Sequence, residues 1–92
     1  MEIVIQIGNS DDKLSQKEWA HFVAAMKNLI SNFATEIHFF GTSEGDAPWQ
    51  NACWVIVTEP DFLAKFRINI ERIRESYNQE SVAVIIGNAD MW

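Results

Sequence analysis

"QIGNSDDKLSQKEW" (Gln6–Trp19) passes from a strand pattern into a helix pattern, and the rest of the chain can be read outward from it. On its N-terminal side, Ile3, Ile5 and Ile7 alternate with Glu2, Val4 and Gln6, the period of a half-buried strand, and Gly8 ends the run. On its C-terminal side, Trp19, Phe22, Val23, Met26, Ile30 and Phe33 recur at helical spacing, which gives one apolar stripe ending near Asn32. Between them, Ser15 followed by Glu18 is a capping box. The Ser hydroxyl accepts from the backbone N–H of the third helical residue, and the Glu carboxylate reaches back to the cap N–H. Leu14 and Trp19 stand where a hydrophobic staple would pack.

Beyond this helix, Thr35 to Phe40 alternates Ile37 and Phe39 with Glu36, His38 and Phe40, and predicts a second strand. "GTSEGDAPWQN" (Gly41–Asn51) carries two Gly and a Pro, so it reads as a long hairpin loop before a third strand, Ala52 to Val57. Thr58 and Asp61 resemble a second capping box with Pro60 in the first turn. The stripe Phe62, Leu63, Phe66, Ile70, Ile73 and Tyr77 extends that helix to about Asn78. Ser81 to Ile86 predicts a last strand. The order β-α-β-β-α-β is that of an α+β ferredoxin-like sandwich, a four-stranded antiparallel sheet with two helices on one face, and residues 1–92 read as one domain.

Composition narrows the function classes. Four Trp and six Phe in a chain that is 48% hydrophobic argue for a packed core, and at 92 residues self-association would add to stability. Seven Lys and Arg against 13 Asp and Glu give a net charge of -6, which opposes direct binding to nucleic acid or an anionic membrane. No apolar run has membrane-spanning length, and "EIVIQI" (Glu2–Ile7) lacks the flank and cleavage pattern of a signal peptide. Cys53 is the only cysteine, so no disulfide closes within the chain, as suits a reducing compartment. The expectation is a cytoplasmic protein without a cofactor.

With right-handed crossovers the third strand lies antiparallel beside the first, so the loop after the first strand and the hairpin loop leave the same end of the sheet. Asn9, Ser10, Asp11 and Asp12 then come near Glu44, Asp46, Trp49, Gln50 and Asn51. One reading is a recognition site for a ligand or partner, with Trp49 as a wall and Asn9, Gln50 and Asn51 bonding a planar group's edge. The other is a well-made turn, in which Asn9 and Ser10 satisfy backbone, the aspartates favour the helix N-terminus and Trp49 caps the core. The acidic residues lack calcium-loop spacing, and no zinc spacing joins His21, His38 and Cys53, so no metal is expected. Asp11 and Asp12 oppose a phosphate at the helix start.

If Ile3, Ile5, Ile7, Ile37 and Phe39 face the helices, the opposite face carries Val4, Gln6, His38, Phe40, Trp54, Ile56, Ala83 and Ile85. So apolar a face suggests a partner surface, most simply that of a second copy in a two-fold homodimer; opposite parity in the third strand would instead make Trp54 core. His38 on that face is the candidate general base of an enzymatic alternative, a small-molecule enzyme of the dimeric ferredoxin-like type. Cys53, alternating with Val55 and Val57, reads as a core residue. His21 and Ile68 read as exposed, and Lys65, Arg67, Arg72 and Arg74, interleaved with Glu71 and Glu75, as a salt-bridged helix face.

The segments "IQIGNSDDKLSQKEW" (Ile5–Trp19) and "PWQNACW" (Pro48–Trp54) resemble those of a group of small uncharacterised proteins of actinobacteria and their phages. The resemblance covers mostly the first 54 residues and brings no catalytic residues with it. It implies a mobile-element context, in which a small acidic protein would antagonise host defence by blocking a host protein or sequestering a nucleotide-like ligand. The sequence as a whole therefore points to a non-enzymatic binding module.

Overall fold

The computed structural model describes residues 1–9, 13–44, 49–88, 90 and 92. The elements follow in the expected order: β1 (Glu2–Gly8), α1 (Gln16–Phe33), β2 (Ala34–Thr42), β3 (Asn51–Thr58), α2 (Leu63–Ser76) and β4 (Ala83–Gly87). The strands form one antiparallel sheet in the order β2-β3-β1-β4, the ferredoxin-like arrangement. Its helix side packs around Ile3, Ile5, Ile7, Phe22, Met26, Ile30, Trp54, Ile56 and Phe66, all buried.

Local chemistry starts α1 as the sequence predicts. Ser15 Oγ accepts from the Glu18 N–H at 3.1 Å, and Glu18 Oε1 accepts from the Ser15 N–H at 3.0 Å. The Ser15 backbone N–H, and after it the Ser15 hydroxyl, stabilise the ionised carboxylate and hold the Glu18 pKa below its ordinary value. Leu14 and Trp19 are both core residues.

The second expected cap is not made. Thr58 is buried, so its hydroxyl needs an interior partner, and it donates to the Phe33 carbonyl at 2.8 Å. That bond ties the end of β3 to the end of α1, while Pro60–Phe62 forms a 3-10 turn and α2 begins at Leu63. Asn78, with φ 54°, takes the left-handed conformation just past the end of α2.

Strand parity departs from expectation in two places. Residues directly opposite on paired strands share a face, and β3 sets Ala52, Trp54 and Ile56 against Ile7, Ile5 and Ile3. Trp54 and Ile56 are therefore core, 1% and 0% exposed, and not part of the open face, which instead takes Cys53, Val55 and Val57. Both parities of this strand are apolar, and the one that buries the indole removes the larger area from water.

In β2, register shifts between Ala34 and Glu36 and between Ile37 and Phe39 each insert one residue. The second shift reverses the expected alternation: Phe40 turns to the helix side and Phe39 to the open side. Phe40 packs on Trp54 at 5.0 Å between ring centroids, with the Lys27 ammonium 4.6 Å from its ring centre.

Candidate functional site

The helix-free face of the sheet is built in rows. Phe39 stands opposite Val55, Val55 opposite Val4, and Val4 opposite Ile85, so one apolar row crosses all four strands. Phe39 and Ile85 remain 53% and 61% exposed, while Val4 and Val55 between them are half-buried by their neighbours. The Phe39 ring lies over Gly41, where a β-carbon would come within 2.5 Å of Phe39 Cζ, so the glycine makes room for the ring.

A row carrying two glutamates flanks the apolar one on one side, and a row of small residues with one glutamine flanks it on the other. Glu36, Val57, Glu2 and Gly87 form the first; Gly41, Cys53, Gln6 and Ala83 form the second. In the second, Gln6 Nε2 lies 3.9 Å from Cys53 Sγ, so the thiol expected in the core stands on the open face.

His38 joins the first of these rows. Its Nε2 is 2.8 Å from Glu36 Oε2 and its Nδ1 is 3.7 Å from Glu2 Oε2. Both ring nitrogens thus lie near carboxylates of the chain itself, at hydrogen-bond distance for Nε2 alone. Glu71, Arg67, Arg74 and the apolar Leu63, Phe66, Ile70, Val84 and Ile86 line a cleft of about 500 Å³ between α2 and β4. A second cleft, of about 330 Å³, opens at the far end of the sheet beside Gln6, Gly8, Asn51, Gln79, Glu80, Ser81 and Ala83. His38 borders neither of these clefts.

At the loop end, β1 and α1 are held together by Asn9. Its side chain, 2% exposed, donates from Nδ2 to the Leu14 carbonyl and to Gln50 Oε1, each at 3.0 Å, and accepts on Oδ1 from the Leu14 N–H at 3.0 Å. The Asn9 N–H donates to the Gln50 carbonyl at 2.8 Å. Gln50 is engaged as well: its Nε2 donates to Gln16 Oε1 at 2.7 Å, and its Oε1 accepts from Gln16 Nε2 at 3.2 Å.

Asn51 stays exposed and pairs its backbone with Ser43, while Trp49 is 57% exposed and does not cap the core. Ser10, Asp11, Asp12 and Asp46 lie outside the described residues. The structure brings Asn9 and Gln50 together as foreseen, but as a clasp, buried at Asn9 and half-exposed at Gln50, whose amides bond within the chain. Among the described residues, no group of three or more His, Cys, Asp or Glu could hold a metal ion.

Of the residues foreseen on the open face, Val4, Gln6, His38 and Ile85 stand there, whereas Phe40, Trp54 and Ile56 face the helices. Sequence reasoning missed Phe39 and Val55. The register shift at His38 that turns Phe39 outward leaves no mark in the alternation of the strand itself, and both alternations around Val55 are apolar.

The chain has the ferredoxin-like α+β fold, with an uncovered sheet face bearing a continuous apolar row. No protein-family model matches the chain, and no curated protein matches it. Among the described residues no helix is long and apolar enough to cross a membrane.

Proposed function

We propose that this chain is a non-enzymatic binding module that docks a partner protein on the open face of its sheet. The observation that carries the reading is the row Phe39–Val55–Val4–Ile85, apolar across every strand on a face no helix covers. Such a surface, with carboxylates along one edge, has the composition of a protein interface: an aromatic and aliphatic centre with charge at its edge. Glu2 and Glu36 at that edge favour a partner with basic residues around an apolar patch. The same carboxylates, in an already acidic chain, add to the repulsion between two copies stacked face to face.

Sequestering a nucleotide-like ligand at the loop end has less support, since the Asn9 and Gln50 amides that would read its edge are bonded within the fold. In the mobile-element context implied by the sequence resemblance, the reading becomes the blocking of a host protein. A photo-crosslinking residue at position 39 tests it, with position 21 on α1 as control. The expected outcome is a discrete crosslinked protein at position 39 that vanishes on Val4→Lys and persists on Trp49→Ala. Crosslinking that depends on Trp49, or that is equal from both positions, refutes the reading.

A further inference from the structure

The two edges of the sheet are built differently. β2, at one edge, is interrupted by two register shifts and carries Glu36 and His38, devices that discourage another strand from adding. β4, at the other edge, has none of them. It is regular from Ala83 to Gly87, every one of its residues is exposed, and no charged residue or proline occurs between Ser81 and Asn88 in a chain of net charge -6. Val84, Ile85 and Ile86 are 39%, 61% and 51% exposed. An edge so regular, apolar and uncharged is a template for strand addition.

We infer that β4 pairs antiparallel with the β4 of a second copy, joining two four-stranded sheets into one of eight strands. The occupant is argued from the strand's own pattern. Centred on Ile85, the pairing sets Ile85 against Ile85 of the copy, Val84 against Ile86, and the small Ala83 against Gly87. Each apolar side chain meets an apolar one, and uncharged meets uncharged.

The two-fold axis of such a pairing runs perpendicular to the sheet, so the open faces of both copies look the same way. The row Phe39–Val55–Val4–Ile85 then continues through Ile85 of the copy as one band twice as long. Val84 and Ile86 of each copy come to the mouth of the cleft between α2 and β4 of the other, whose floor is Phe66 and Ile70. A five-residue edge buries less than the roughly 800 Å² per partner of a standard interface, so the dimer is expected to depend on concentration.

Sedimentation equilibrium of the whole chain between roughly 10 μM and 1 mM tests this, and it leaves the partner reading untouched because it needs no partner. The expected result is a reversible shift from 10.5 kDa toward twice that mass. Ile86→Lys alters the helix side of β4 and keeps the apolar row. It is expected to weaken the dimer by roughly 100-fold, because each lysine is forced against an apolar neighbour. Val84→Glu is expected to do the same alone. Mixed together, the two variants are expected to regain a heterodimer, since the lysine introduced in one copy then faces the glutamate introduced in the other. A chain that stays at 10.5 kDa throughout, a dimer indifferent to Ile86→Lys, or variants that fail to pair on mixing would each overturn the inference. Circular dichroism of each variant separates lost pairing from lost folding.

Discussion

Replacing Asn9 by alanine separates a clasp from a binding site, and the structure supplies the magnitude. The substitution deletes three side-chain hydrogen bonds and strands the N–H and the C=O of Leu14, a residue only 4% exposed. A buried polar group left without a partner costs roughly 1–3 kcal/mol, so two of them total about 3 kcal/mol if local relaxation admits some water. A domain of this size has on the order of 5–14 kcal/mol of stability in all, and the loss is a large share of it. With a urea dependence of roughly 1–1.5 kcal/mol per molar, the unfolding midpoint is expected to fall by about 2–3 M. Urea titration followed by tryptophan fluorescence measures this directly, because Trp19 and Trp54 lie in the core. A double-mutant cycle with Gln50→Ala should return a coupling of about 1 kcal/mol through the 3.0 Å bond between the two side chains. If Asn9→Ala unfolds within about 0.5 kcal/mol of the parent chain, the amide is not holding the loop and the reasoning here fails.

Trp54→Ala is expected to cost roughly 3–5 kcal/mol in urea unfolding, as for any large aromatic cut from a core, whereas Phe39→Ala should stay within about 1 kcal/mol; equal effects would mean the β2 and β3 faces are assigned wrongly. Glu18, its pKa lowered by the Ser15 bonds, contributes stability that is fully present above the ordinary glutamate range and lost as pH falls through its lowered folded value. Comparison of Glu18→Gln with the parent chain across acidic pH should therefore give a stability difference that shrinks with acidity; a constant or growing difference contradicts the capping geometry.

The order of elements, the start of α1 and the sheet topology could be read without coordinates because the signals are local. Ile3, Ile5 and Ile7 alternate against polar neighbours at Glu2 and Gln6, and Ser15 with Glu18 needs only four consecutive residues to make its reciprocal bonds. Helical spacing from Trp19 to Ile30 likewise names its own buried side. The faces of β3 and β2 could not be read this way. In "ACWVIV" (Ala52–Val57) both alternations are apolar, so only the register against β1 decides that Trp54 goes in and Val55 out.

In β2 the register shifts are a property of its pairing with β3, and nothing in "TEIHFF" (Thr35–Phe40) announces that His38 will be the extra residue that sends Phe39 outward and Phe40 inward. The same holds at the loop end. Turn chemistry made Asn9 a candidate for either role and left Gln50 as a ligand-reading amide, and only the approach of the two across 41 positions showed which partner their amides take. Alternation and capping are written in neighbouring residues; the side a strand presents and the use made of a polar group are set by what the rest of the chain packs against them.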